Sequence, residues 1–174
     1  MEDFLTPADV LNQLDLKEEM AAADFGSGSG GWAIPLAKRL KEGKVFAIDV
    51  LEEPLSALKG KAEFSNLFNI ETIRADVEGG KINQIEDNSL DLVLITNLLF
   101  QVEDRKGVLE EAKRTLKEGG KILVVDWKEK APLGPKEGKV SDKEIKKIAK
   151  DFKLKFQKDI EAGNYHYALL FEKS

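Results

Sequence analysis

The sequence predicts an α/β protein built on a doubly wound, mostly parallel sheet, and three observations carry that prediction. Apolar runs of strand length alternate with segments of helical period along the chain. The run from Leu90 to Thr96, L-D-L-V-L-I-T, is apolar nearly throughout, as a parallel strand buried on both faces requires. A glycine-rich stretch from Ala23 to Trp32, A-D-F-G-S-G-S-G-G-W, separates the first apolar run from a helix-like segment, the position at which α/β folds bind ligands.

Each element has a local reason. Thr6-Pro7-Ala8-Asp9 opens a short helix, with a capping residue followed by proline in the first helical position, and Val10, Leu11 and Leu14 form its apolar face. Met20 to Phe25 reads as a buried strand. Ala33 to Lys41 is a helix ended by Gly43, and Lys44 to Asp49 is a strand of β-branched and aromatic residues. Glu52 to Phe68 reads as a helix, with Pro54 tolerated in its first turn. Asn69 to Asp76 is a third strand, and Leu90 to Thr96 the fourth. Arg105 to Lys117 is a helix stopped by Gly119-Gly120, and Lys121 to Trp127 is the fifth strand. After a loop rich in proline and glycine, Ser141-Asp142-Lys143-Glu144 is a capping box that starts the last helix. Lys153 to Ile160 and Tyr165 to Glu172, joined by only four residues, form an antiparallel hairpin. Right-handed crossovers then put helices on both faces of the sheet.

These elements use up the 174 residues, so a single domain over 1–174 is expected, large enough for a core without disulfides or metals. A hydrophobic content of 42% with 34% charged residues fits an ordinary globular chain. The absence of cysteine excludes thiolate metal sites and cysteine nucleophiles, and a single histidine argues against the usual zinc and triad arrangements. The N-terminus is acidic where a secretory signal is basic, and no apolar run approaches the ~18 residues of a membrane span, so a cytoplasmic protein is expected. A net charge of -5 argues against nucleic acid as a partner. From Lys128 to Lys158, eleven lysines face five acids, which reads as a solvated helix face before it reads as an anion-attracting patch.

The glycine stretch admits two readings. Gly26, Gly28 and Gly31 satisfy the G-x-G-x-x-G spacing of a dinucleotide site, whereas Asp24, Gly26, Gly28 and Gly30 satisfy D-x-G-x-G-x-G. A dinucleotide puts a pyrophosphate on the helix N-terminus, beside which the Asp24 carboxylate would sit badly. An ammonium group would sit well there. Asp49 ends the second strand and suits ribose hydroxyls in either reading, while Asp76 at the end of the third can accept from an exocyclic adenine amine. Three acids on three successive strands describe S-adenosylmethionine better than a nicotinamide dinucleotide.

With those residues, the sequence resembles the class I S-adenosylmethionine-dependent methyltransferases over nearly its whole length. The matching segments are A-D-F-G-S-G-S-G-G-W, V-F-A-I-D-V, I-R-A-D-V-E, D-N-S-L-D-L-V-L-I-T-N-L-L-F-Q-V, L-K-E-G-G-K-I-L-V-V-D-W and the final hairpin. Within the family it is most similar to the small type-11 branch, which includes quinone-biosynthesis enzymes. The resemblance implies a Rossmann-like, seven-stranded sheet whose last strand is inserted antiparallel. It implies cofactor contacts from Asp24, Phe25, Gly26, Ser27, Gly28 and Gly30 to the methionine part and from Asp49 and Val50 at the ribose. Asp76 and Val77 meet the adenine, and Asn97 and Leu98 follow the fourth strand. S-adenosylhomocysteine is the implied product, and the implied acceptor is a small molecule, with the protein a monomer or homodimer. A noncatalytic S-adenosylmethionine-binding subunit remains an alternative, as does a protein or nucleic-acid methyltransferase. Asn97-Leu98-Leu99-Phe100 lacks both prolines of the N-P-P-Y motif used for amine acceptors.

The reaction is an in-line displacement on an already activated methyl, so alignment and water exclusion are the protein's main tasks and a dedicated base is optional. No catalytic residue is therefore assigned. Acceptor specificity is expected in Met1 to Thr6, the stretch after Asn97, and Trp127 to Val140. Trp32 reads as core packing, Phe4 and Phe100 equally as pocket walls or packing, and His166 as an edge or surface strand residue rather than a general base.

Overall fold

The computed structural model describes residues 3–174; Met1 and Glu2, part of one expected specificity segment, lie outside the described residues. The chain runs α1 (Pro7–Leu11), β1 (Ala21–Phe25), α2 (Ala33–Arg39), β2 (Lys44–Asp49), α3 (Glu52–Phe64) and β3 (Ile70–Arg74). It continues with β4 (Leu90–Thr96), a 3-10 turn (Leu99–Gln101), α4 (Arg105–Thr115), β5 (Leu116–Trp127), α5 (Asp142–Asp151), β6 (Leu154–Ile160) and β7 (His166–Lys173). The seven strands form one sheet in the order β3-β2-β1-β4-β5-β7-β6. The pairs among β1 to β5 are parallel, and β7 runs antiparallel to both β5 and β6. The α/β class and the inserted antiparallel last strand are as expected.

Two apolar layers hold the sheet. On one face Val10, Leu11, Leu36 and Leu58 of α1, α2 and α3 pack on Ala22, Val45, Leu92 and Leu94. On the other, Val108, Leu109, Ile145 and Ile148 of α4 and α5 pack on Phe25, Val93, Ile95 and Ile122. Alternate residues of β4 thus belong to opposite layers, which explains its nearly unbroken apolar run.

Several boundaries differ from the sequence reading. α3 ends at Phe64, not Phe68, because Asn66 turns left-handed (φ 54) and the amides of Asn66 and Leu67 close back on the carbonyls of Glu63 and Ala62. That is a Schellman stop with asparagine in the glycine position. β3 ends at Arg74, so Asp76 lies two residues beyond the strand. The glycines at 119 and 120 do not stop α4, which ends at Thr115; they form a bulge inside β5, between its pairing at Leu116 and at Lys121. Thr6 is the N-cap of α1, but its side chain makes no capping bond. Ser141 does cap α5, accepting from the amide of Glu144, while the Glu144 side chain turns to Arg105.

Candidate functional site

The site is built at the carboxyl ends of β1 and β2. The backbone of Gly26 and Ser27 turns over the strand edge by donating both amides to the Ile48 carbonyl. Gly26, Gly28 and Gly30 all have positive φ, 76°, 52° and 99°, so the loop takes a path that side-chain-bearing residues resist. The three glycines differ in what surrounds them. A Cβ at Gly28 would meet no atom within 4 Å, so its face is open to a ligand. A Cβ at Gly26 would stand 2.9 Å from Leu98, and one at Gly30 would press on Leu58 and Ile34. In this structure Gly26 receives a side chain of its own chain, and Gly30 lets α2 and α3 approach.

Asp49 organises the loop from the second strand, its two oxygens accepting the amides of Gly28 (2.9 Å) and Leu51 (3.1 Å). A carboxylate has about four acceptor positions, so two remain for a ligand. Next to it, Asp24 is 1% exposed and neither of its oxygens has a partner. Burial, and secondarily the charge of Asp49, push its carboxyl up to about 7. An orphaned buried carboxylate is costly, and a cationic ligand group removes that cost. Ser27 Oγ and Asn97 Oδ1 are likewise buried without partners, Asn97 in a left-handed conformation directly after β4.

Beside the loop a cavity of about 350 Å³ is lined by Gly28, Asp49, Val50, Asp76, Val77 and Leu98, together with Glu78, Gln101 and Val102. The two largely separate strand-end loops, after β3 and after β4, therefore share one space with the glycine loop. Asp76 holds its own turn by accepting the amide of Glu78 (2.9 Å), and Glu78 joins the two walls by accepting the amides of Glu103 and Asp104 (2.7 Å each). Sequence reasoning missed Glu78, Gln101 and Val102, since nothing in an irregular segment predicts which residues face inward. Phe25 is wholly buried in the core, leaving only its backbone near the site.

Other expected residues fall elsewhere. Trp32 is buried in the core, as its position at the helix start suggested. Phe4 is 57% exposed and leans on Tyr165, and neither it nor Phe100 lines the cavity. His166 is not an edge or surface residue. β7 is inserted between β5 and β6, and the imidazole is 7% exposed, stacked on Trp127 at 4.1 Å between centroids. Among the described residues no cluster of histidine and acidic side chains could hold a metal, and no helix is long and apolar enough to cross a membrane.

A sheet with one inserted antiparallel strand, a glycine loop after β1, and acids at the ends of β1 and β2 and two residues beyond β3 define a class I S-adenosylmethionine-dependent methyltransferase. Comparison with known proteins specifies the branch: residues 23–124 match the type-11 family described as a methyltransferase domain, and the chain belongs to that family. A demethylmenaquinone methyltransferase of Bacillus mycoides is 33% identical over 130 residues, 73% of this chain and 53% of that protein. The chain spans about half the length of the curated relatives it matches. Among solved structures, a SAM-dependent methyltransferase from Aquifex aeolicus aligns over 98% of this chain and 91% of its own, with 29% identity and a TM-score of 0.88. The YcgJ protein of Bacillus subtilis shares the fold at 14% identity, over 97% of each chain, with a TM-score of 0.81.

Proposed function

We propose that this chain transfers a methyl group from S-adenosylmethionine to a small-molecule acceptor. The observation that carries the reading is the unpartnered, buried Asp24 carboxylate beneath a glycine loop whose Gly28 face is open, next to a cavity bordered by Asp49 and Asp76. Asp24 accepts from the ammonium of the methionine part, and the Asp49 and Asp76 oxygens left free by the loop accept from ribose and adenine. Val50, Val77 and Leu98 form the apolar walls, and the backbone of Phe25 to Gly30 lies along the ligand. Asn97 stands where the cofactor and acceptor meet. When bound, the cofactor supplies a methyl group already activated on a sulfonium. The protein aligns the two reactants and excludes water, worth up to ~7 to 11 kcal/mol in favourable cases.

The name of the Bacillus mycoides relative favours a quinone-like acceptor. The same reading takes residues 1–174 as one methyltransferase unit, working in the cytoplasm as a monomer or homodimer. The test is a melting series followed by a methyl-transfer screen. S-adenosylmethionine and S-adenosylhomocysteine should raise the midpoint by mass action, by about 2.7 kcal/mol of stability at a hundredfold excess over Kd, while NAD and NADP should not. Stabilisation by NAD alone would overturn the reading. Cofactor binding without transfer to quinone-like, other small-molecule or protein acceptors would assign a noncatalytic subunit instead.

A further inference from the structure

Two phenylalanines stand in solvent beside the β3 edge of the sheet. Phe64 is 91% and Phe68 85% exposed, the highest values for large apolar side chains among the described residues. A single exposed apolar residue is ordinary, but two rings beside an open groove mark a contact surface. That groove, about 220 Å³, runs between α3 and β3 and is lined by Lys59, Glu63, Phe68, Ile70 and Thr72 among others. β3 itself ends the sheet and pairs only with β2. The phase of that pairing is fixed at both ends. The Asn69 carbonyl accepts the Val45 amide and the Ala75 amide donates to the Asp49 carbonyl, so the odd-numbered residues of β3 turn their backbone groups toward β2. Ile70, Thr72 and Arg74 therefore turn theirs outward.

The opposite edge of the sheet is protected against pairing. β6 has a register break between Phe156 and Lys158 and carries lysines at 155 and 158, devices that keep an edge strand from accepting another. β3 has no bulge, proline or lysine. Its charged side chains are engaged within the chain, Glu71 with Lys44 and Arg74 with the Val50 carbonyl. We infer that the β3 edge is a homodimer interface, where β3 of a second copy adds antiparallel and makes the two sheets continuous. With the two-fold axis at Thr72, Thr72 of one copy meets Thr72 of the other, and Ile70 meets Arg74. Every outward amide and carbonyl of β3 is then paired, whereas any other two-fold register leaves some of them open.

A second copy fits because this edge complements itself. α3 lies over both β2 and β3, so the two α3 axes come about 10 Å apart, twice the strand spacing and a distance at which helices pack. They run antiparallel, so Lys59 and Glu63 of one copy face Glu63 and Lys59 of the other. Phe68, at the groove, is buried in the seam.

The unaltered chain should sediment at twice its own mass at micromolar concentration. Thr72→Lys sets two like charges opposite each other on the axis and should weaken association by about tenfold or more. Phe68→Glu should weaken it as well, and circular dichroism shows whether each variant is folded. The register is tested separately, because the chain has no cysteine. In Thr72→Cys the two thiols of a dimer stand opposite, on Cα atoms about 5.5 Å apart and within disulfide range, so mild oxidation should cross-link it. In Arg74→Cys the two positions are about 14 Å apart along the paired strands, and no cross-link should form. A monomeric mass, a Thr72→Lys variant that associates as strongly as the parent, a cross-link in Arg74→Cys or none in Thr72→Cys overturns the inference. If Thr72→Lys does not fold, Phe68→Glu, which alters a side chain already in solvent, decides in its place. Neither readout requires the cofactor, so the methyltransferase reading stands or falls separately.

Discussion

Asp24 and Gly28 carry the heaviest demands on single residues. The raised pKa of Asp24 has two opposite consequences. Its folded-state pKa of about 7 lies above the ordinary 3.8, so the folded state binds its proton more tightly than the unfolded state does. The stability it contributes is present below pH ~4 and is lost as pH rises toward 7. Binding of an ammonium ligand requires the ionised form and has the reverse dependence. S-adenosylhomocysteine affinity should therefore increase about tenfold between pH 6 and 8, the ratio of ionised Asp24 at those values. In Asp24→Asn that slope should vanish, with lower affinity at pH 8 and an unfolding midpoint at least as high. Calorimetry at several pH values, with the melting point alongside, checks both signs. Gly28→Ala places a methyl where the protein has only open space, so its cost without ligand is the strain of φ 52, about 1 kcal/mol. With ligand the same methyl occupies the binding face. Cofactor affinity should fall by more than tenfold while the unfolding midpoint moves little; equal binding would mean that the glycine only turns the chain.

Elements were legible to the extent that their signals are local. β2 and β4 have the boundaries their sequences suggest, because a run of apolar residues bounded by polar ones needs no partner to be recognised. Ser141 was readable as a cap for the same reason, and Ser141→Ala should cost about 1 kcal/mol in a denaturant titration, with cofactor affinity unchanged. Misread boundaries depend on partners distant in sequence. Gly119 and Gly120 look like a helix stop, yet β4 draws Leu116 into the sheet before them, pairing it with Leu90. Asp76 looked like a strand end, but the strand stops at Arg74 and the turn after it is set by Asp76 binding the Glu78 amide. For α3, the helix the sequence suggests to Phe68 stops at Phe64, because Asn66 takes a left-handed turn. The 3-10 turn after β4, which brings Gln101 to the cavity, carries no period long enough to detect.

At the scale of the whole molecule, the C-terminal strand is tied down by Lys173, 8% exposed, whose ammonium donates to Asn88 Oδ1 and to the carbonyls of Lys113 and Leu116. One side chain thereby joins β7 to α4, β5 and the loop before β4. Lys173→Ala should lower stability by roughly 2 to 3 kcal/mol, since it removes charge-assisted bonds and leaves buried carbonyls unsatisfied. A midpoint unchanged in urea would show that water replaces the ammonium freely. Nothing in E-K-S announces that role, because a terminal lysine is ordinarily exposed. By itself the sequence determined the α/β class, the glycine loop, and the acids at 24, 49 and 76 that point to the cofactor. Each of these is written in neighbouring residues, through period, turn chemistry or spacing along one strand and its loop. Tertiary structure alone decided that Gly28 faces open space while Gly26 meets Leu98, that Glu78 bridges two walls, and that His166 is interior. Those properties are set by which strands become neighbours, and inserting β7 between β5 and β6 changes a residue's surroundings without changing any residue beside it in the chain.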